Sequence, residues 1–291
     1  MSLVLAHRGA RSEAPENTLP AFHLAVQQGA DGIEFDVQLT ADGHVVVIHD
    51  ETLDRTTSGS GPVVGHSLEE LQRLDASTGM PGFAGVAVPT LTEVLRLLAP
   101  TGVRLNIELK DSLVAYPGLP DRVLAAVEAF GLADRVVLST FNHCTLRALR
   151  DRAVPLELGM LYTDPLYHPW RYAATLGVAA LHPPAHLTSP ELVAESHRAG
   201  FAVRPWVANG DLILAMLGLG VDAVFTDEPG LAVELRDRRH AGAGAAPARE
   251  RPAEQEDRGS AESLVPGTTP LRVRRCHGTP GHRRLPGGRN R

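Results

Sequence analysis

Eight short apolar runs, most of them followed by a stretch of helical period, constrain this chain more than any other feature. The runs cover residues 3–7, 32–38, 104–110, 136–140, 157–161, 179–182, 202–207 and 223–226. Helical patterns cover residues 18–28, 91–98, 121–130, 146–152, 190–199, 212–219 and 231–238. Strands that alternate with helices pack as a parallel sheet under a helical layer, and eight such units predict a closed (β/α)8 barrel, the TIM-barrel architecture of the α/β class. A doubly wound sheet is the alternative, but no Gly-rich dinucleotide turn follows a strand. One further run, residues 45–49, follows the second strand across Thr40-Ala41-Asp42-Gly43. Asp-Gly between two such runs is a hairpin signal, so this run is expected to return antiparallel and to stay outside the barrel count.

Two segments break the alternation. Residues 51–90 hold Gly59, Gly61, Pro62, Gly65 and one short helical pattern at 67–74, and read as an insertion over one barrel face. From residue 239 the chain is rich in Gly, Pro, Arg and Glu without hydrophobic period, which predicts a disordered tail over 239–291 beyond a barrel domain of 1–238. From Arg238 onward there are 12 arginines against 5 acids, whereas the rest of the chain is acidic. Such a tail could attract nucleic acid or anionic lipid, but it lacks interleaved aromatics and any amphipathic helix, so no nucleic-acid partner is expected. No apolar run approaches the ~20 residues of a membrane span and no signal peptide is evident, so no stable membrane insertion and a cytoplasmic location are expected. Cys144 and Cys276 lie far apart without a CxxC partner, which indicates neither a disulfide framework nor a zinc site.

Functional side chains of such a barrel sit at the C-terminal ends of its strands. His7-Arg8 ends the first strand, Glu34 and Asp36 lie late on the second, and His49 ends the hairpin arm. On the third, alternation puts Asn106, Glu108 and Lys110 on one face and Leu105, Ile107 and Leu109 on the other. Imidazoles exchange protons near neutral pH. Carboxylates crowded on one face repel one another unless a cation lies between them. Oxygen ligands without thiolates suit Mg2+ or Ca2+ better than zinc. Arg8 and Lys110, the latter the only lysine in the chain, could meet an anionic substrate, most simply a phosphate. The blander alternatives are strand-end histidines and an ion-pair network of the acids with Arg8 and Lys110. Glu16 could orient a neighbour, Asn17-Thr18 reads as a helix start, and Asp50 with Arg55 reads as a local ion pair.

The spaced motifs His7-Arg8-Gly9, Pro15-Glu16-Asn17-Thr18, Gly29-Ala30-Asp31-Gly32-Ile33-Glu34-Phe35-Asp36-Val37, Thr40-x-Asp42-Gly43, His49-Asp50-x-x-Leu53-x-Arg55-Thr56-Thr57 and Glu108-Leu109-Lys110 resemble the glycerophosphodiester phosphodiesterase family. Looser agreement continues through Ser139-Thr140-Phe141, Trp206 with Asn209, Gly220-Val221-Asp222-Ala223 and Thr226-Asp227-Glu228-Pro229, so the resemblance spans residues 3 to about 236. It implies one divalent cation on Glu34, Asp36 and Glu108, with His7 and His49 as acid and base. It also implies hydrolysis of a small glycerophosphodiester to glycerol 3-phosphate and an alcohol by way of a cyclic phosphate. On their own chemistry Arg8 and Lys110 could meet that phosphate, and Trp206, which ends the seventh strand, is read as contacting the glycerol carbons, with packing as the alternative. The chain departs at Val207, where the family commonly has Thr, so a hydroxyl contact is lost there. Tyr162, Tyr167, Trp170 and Tyr172 cluster in eleven residues and could contact the alcohol at the site mouth or pack as a loop. Two other activities remain open at this stage. One is a lysophospholipase D or sphingomyelinase-D-like enzyme using that cluster as an apolar entry. The other is a non-catalytic glycerophosphodiester-binding protein, which would be expected to lack a histidine or a metal acid.

Overall fold

The structure, a computed structural model, describes residues 1–243 apart from residue 78. In chain order the elements are β1 (Leu3–His7), α1 (Leu19–Gln27), β2 (Gly32–Leu39), β3 (Val45–Val47), α2 (Leu68–Gln72), α3 (Leu91–Leu98), β4 (Arg104–Leu109), α4 (Leu119–Ala129), β5 (Val136–Thr140), α5 (His143–Asp151), β6 (Glu157–Leu161), α6 (Pro169–Leu176), β7 (Ala180–His182), α7 (Pro190–Arg198), β8 (Ala202–Val203), α8 (Asp211–Leu219), β9 (Ala223–Thr226) and α9 (Pro229–Ala243).

All strands but β3 pair in parallel, in the order β8-β7-β6-β5-β4-β2-β1-β9. The seam between the ends of that order is spanned by backbone hydrogen bonds from Asp222 to Val203 and from Phe225 to Pro205, both 2.9 Å. The expected eight-stranded barrel is therefore present among the described residues.

β2 shows why the sequence closes this way. Every one of its residues is buried, as a strand covered on both faces must be. Ile33, Phe35, Val37 and Leu39 join the apolar layer that holds Phe22 of α1 and Leu91, Val94 and Leu95 of α3. The alternate residues Glu34, Asp36 and Gln38 face the other way, into the barrel. β3 returns antiparallel across the Asp42-Gly43 turn, with Val47 opposite Val37 and Val45 opposite Leu39, as the hairpin signal implied. The segment after it builds its own small core from Val46, Ile48, Leu53, Val63, Leu71 and Val88. Ser67 and Glu70 form a capping box on α2 there.

The structure departs from the sequence reading in three places. The aromatic segment contains a helix, α6, that hydrophobic period alone does not show, although Pro169 in its first turn and the left-handed Gly177 after it are ordinary helix boundaries. The strand expected over 202–207 is regular only at Ala202–Val203. Pro205 has no N–H for a ladder and Val207 turns left-handed at φ 55°. Helix α9 runs to Ala243, past the boundary expected at 238, and the rest of the expected tail lies outside the described residues. Among the described residues no helix is long and apolar enough to cross a membrane.

Candidate active site

Strand register brings the acids together. Parallel pairing sets Glu34 beside His7 and Asp36 beside Glu108. One oxygen each from Glu34, Asp36 and Glu108 lies within 4.8 Å of the others, and all three residues are buried. Only two cationic side chains touch them among the described residues: Arg8 Nε is 3.4 Å from Asp36 and Lys110 Nζ is 3.1 Å from Glu108. Glu34 Oε2 accepts the backbone N–H of Arg8 at 2.9 Å. Burial first, then repulsion from Asp36, pushes the Glu108 carboxyl up to about 7 and Glu34 well above the carboxylate range. Asp36 is also buried, but Arg8, His49 and Lys110 outweigh that and hold it down at about 2. Asp36 Oδ1 is buried without a hydrogen-bond donor. An unpaired oxygen in an under-neutralised, oxygen-only cluster fits a hard divalent cation.

Each histidine is gripped from behind by an aspartate. His7 Nδ1 lies 2.7 Å from Asp227 Oδ1 and His49 Nδ1 lies 2.6 Å from Asp50 Oδ1. Both carboxyls are held below the usual carboxylate range, Asp227 against its burial by His7 and Arg11, and Asp50 chiefly by Arg55. Ionised carboxylates only accept, so the proton sits on Nδ1 of each ring and Nε2 carries the lone pair. Burial lowers both imidazoles from their ordinary value, which keeps them neutral at pH 7. Lys110 Nζ donates to His49 Nε2 at 3.2 Å. Lys110 thus bridges Glu108 and His49, so the structure places it between the acid cluster and one imidazole.

His7, Arg8, Glu34, His49 and Glu108 all line one cavity of about 270 Å³. Its remaining wall is largely apolar, from Phe141, Leu161, Trp206, Val207 and Phe225. Trp206 packs edge-on against Phe141 at 6.0 Å, and its indole N–H is used on the His182 carbonyl at 3.0 Å. It therefore offers the cavity carbon surface. The aromatic cluster lies elsewhere. Tyr162, Tyr167 and Trp170 line a separate cavity of about 340 Å³, and the ring of His168 stacks on both Tyr167 and Trp170 at 3.9 and 5.0 Å. Asp50 and Arg55 do pair, at 2.7 Å, and Glu16 does hold neighbours, Arg8 and Arg55. Helix α1 does begin here, with Thr18 as its N-cap and no side-chain cap bond, and the Asn17 side chain instead donates to Asp36 at 2.8 Å.

Sequence reasoning gave no role to Asp227, to Gln38 or to the aspartate half of His49-Asp50 as a ring holder. Asp227 directly follows the last barrel strand, at the face where functional side chains gather, and that position is the signal that could have found it. Gln38 donates to the carbonyls of Ile48, His49 and Asp50 at 2.7–3.0 Å; its inward register on β2 was legible, its targets were not.

Comparison with known proteins agrees with this geometry. Residues 7–231 match the model of the glycerophosphoryl diester phosphodiesterase family. A glycerophosphodiester phosphodiesterase of Caldanaerobacter subterraneus is 43% identical over 236 residues, covering 80% of this chain and 97% of that protein. The crystal structure of a glycerophosphodiester phosphodiesterase from Agrobacterium tumefaciens superposes with a TM-score of 0.71 at 33% identity, over 80% of this chain and all of that one. An Oleispira antarctica phosphodiesterase, solved in complex with the product sn-glycerol-3-phosphate, superposes with a TM-score of 0.73 at 31% identity, over 81% of this chain and 97% of that one. The chain belongs to the glycerophosphoryl diester phosphodiesterase family.

Proposed function

We propose that this chain hydrolyses small glycerophosphodiesters to glycerol 3-phosphate and an alcohol, with His7 and His49 exchanging protons beside a divalent cation, Mg2+ or Ca2+. One observation carries the reading: two Asp-held imidazoles with lone pairs on Nε2 line the same cavity as Glu34 and Glu108 of the acid cluster. Glu34, Asp36 and Glu108 would hold the cation, which supplies charge neutralisation at phosphate and a lowered pKa for a nearby hydroxyl.

The protein groups then divide the work. One imidazole takes the proton of the glycerol 2-hydroxyl through Nε2 as its oxygen bonds to phosphorus. The bond from phosphorus to the alcohol oxygen breaks, and the other imidazole, protonated in the minority of molecules that react, donates its proton to that oxygen. Water opens the cyclic phosphate with the two roles exchanged, giving glycerol 3-phosphate. Asp50 and Asp227 hold the ring orientations and stabilise each imidazolium while it exists. Arg8 and Lys110 offset the phosphate charge, and Trp206 and Phe141 cover the glycerol carbons. The product held by the Oleispira antarctica relative supports the same substrate half. A lipid-cleaving relative needs an apolar entry, and the aromatic cluster offered for it lines a different cavity with rings stacked on one another.

The test is glycerol 3-phosphate release from several glycerophosphodiesters by wild type, His7→Ala and His49→Ala, with and without chelator. Each substitution should lower kcat by about 10²–10⁴-fold, and the chelator should abolish turnover. Full activity in either variant, or indifference to chelator, overturns the mechanism.

A further inference from the structure

Glu16 lies outside the chemistry just described, yet more charge converges on it than on any acid of the catalytic set. Its carboxylate accepts Arg8 Nη1 at 2.9 Å and Arg55 Nη1 and Nη2 at 2.8 and 2.7 Å, and Arg11 Nη2 lies 3.7 Å away. Two of these arginines lead onward. Arg55 reaches Asp50 through Nε at 2.7 Å and Nη2 at 2.9 Å, and Asp50 holds His49. Arg11 Nε lies 3.6 Å from Asp227 Oδ1, and Asp227 holds His7. The third, Arg8, lines the cavity itself.

We propose that Glu16 is a positioning residue that ties the two His–Asp pairs and Arg8 into one unit. The proposal rests on the acid/base reading of His7 and His49, and its claim concerns what fixes those rings.

Two features beyond proximity support it. First, Arg55 uses its planar fork on both carboxylates, with Nη2 shared between Glu16 and Asp50; a point-charge ammonium cannot make that bridge. Asp50 Oδ1 accepts both Arg55 Nη2 and His49 Nδ1, so the orientation of Arg55 is passed to the imidazole through one oxygen. Second, the segment carrying Glu16 is closed on itself. Arg8 and Asn17 both stand at φ 57°, and Asn17 N–H donates to the Arg8 carbonyl at 3.0 Å. Left-handed residues other than glycine persist where their surroundings fix them. Neutralising Glu16 leaves three guanidinium groups crowded without their common anion, free to swing towards Asp36, Asp50 and Asp227.

The link is uneven. The His49 branch runs through hydrogen bonds of 2.6–2.9 Å, whereas the His7 branch contains the two longer Arg11 contacts of 3.6 and 3.7 Å. Loss of Glu16 should therefore disturb His49 more than His7.

Glu16→Gln, Arg55→Gln, their double variant and Arg55→Lys test this, each assayed below its melting temperature. A misplaced catalytic group costs up to about 10²-fold, so each Gln variant should lose about 10–100-fold in kcat with KM changed less than about threefold. The double variant should be no worse than the poorer single one, because both break one path. Arg55→Lys should recover little. Wild-type kcat in Glu16→Gln, losses that multiply in the double variant, or a loss confined to KM overturns the proposal. If Glu16→Gln does not fold, Arg55→Gln, whose side chain is 46% exposed, decides it alone. Ring-nitrogen NMR at pH 8 reads the same geometry without substrate. His49 should be protonated at Nδ1 in wild type and a mixture of tautomers in the variants, while His7 changes less; an unchanged His49 pattern refutes the link. An inactive wild type would sink the functional reading, and the NMR comparison would still decide this one.

Discussion

Asp227 stands 220 positions from His7 in the sequence and 2.7 Å from it in space, and that contrast separates what was legible at residue scale from what was not. Glu34, Asp36 and Glu108 could be grouped because strand alternation fixes the face of each side chain and parallel pairing aligns neighbouring strands. His49-Asp50 was visible as a pair in sequence, but the pairing of Nδ1 with its own neighbour depends on a loop conformation that no period encodes. Glu16 was harder still, since its partners come from both sides of the chain and meet only after the barrel closes. Its carboxyl is held at about 2: burial alone would raise it, but the hydrogen bond from Arg55 and the charges of Arg8, Arg11 and Arg55 outweigh burial. A depressed folded value means stability present above the unfolded value of about 4.5 and lost as pH falls through about 2. With its side chain only 12% exposed, Glu16 should contribute on the order of 3 kcal/mol at pH 7. Urea unfolding should show Glu16→Gln weaker by about that amount at pH 7, with the gap shrinking steadily below pH 4.5; a gap independent of pH would contradict the ion-pair origin.

Elements are where the barrel was read most fully, because each strand carries its own apolar run and each long helix its own period. The failures have local causes: α6 is short and aromatic, and β8 is cut by Pro205 and the turn at Val207. One glycine shows how tightly an element boundary can be set. Gly9 follows β1 at φ +82°, and a Cβ there would stand 2.7 Å from the carbonyl carbon of Ala21 in α1. The strand end that carries His7 and the first helix are thus in backbone contact, and the distance is kept by the missing side chain. Gly9→Ala combines an overpacking cost with a left-handed one, roughly 2–4 kcal/mol together. Gly131→Ala is the matched control: it has φ +64° with nothing within 4 Å of the added carbon, so only the backbone cost of about 1–2 kcal/mol remains. Equal losses in the two variants, measured by urea unfolding, would mean that the approach of α1 is not rigid.

At the scale of the whole molecule, the barrel gathers more negative charge at its mouth than its own cations balance. Glu34, Asp36 and Glu108 face Arg8 and Lys110, and Arg8 is shared with Glu16. A fold that buries such a set without another cation leaves carboxyls under pressure to take up protons, as the raised values of Glu34 and Glu108 express. A divalent ion bound there must compete with those protons. Its apparent affinity should therefore rise as pH climbs through the Glu108 value of about 7. Ligands that bind only the folded state stabilise it by mass action, by about 2.7 kcal/mol at a hundredfold excess over Kd. Adding Mg2+ or Ca2+ should accordingly raise the melting temperature of the wild type, more at pH 8 than at pH 6. Glu108→Gln removes one ligand and one of the two acids that take up competing protons, so its rise should be smaller and depend less on pH. An equal, pH-independent rise in wild type and variant would place the ion elsewhere on the molecule.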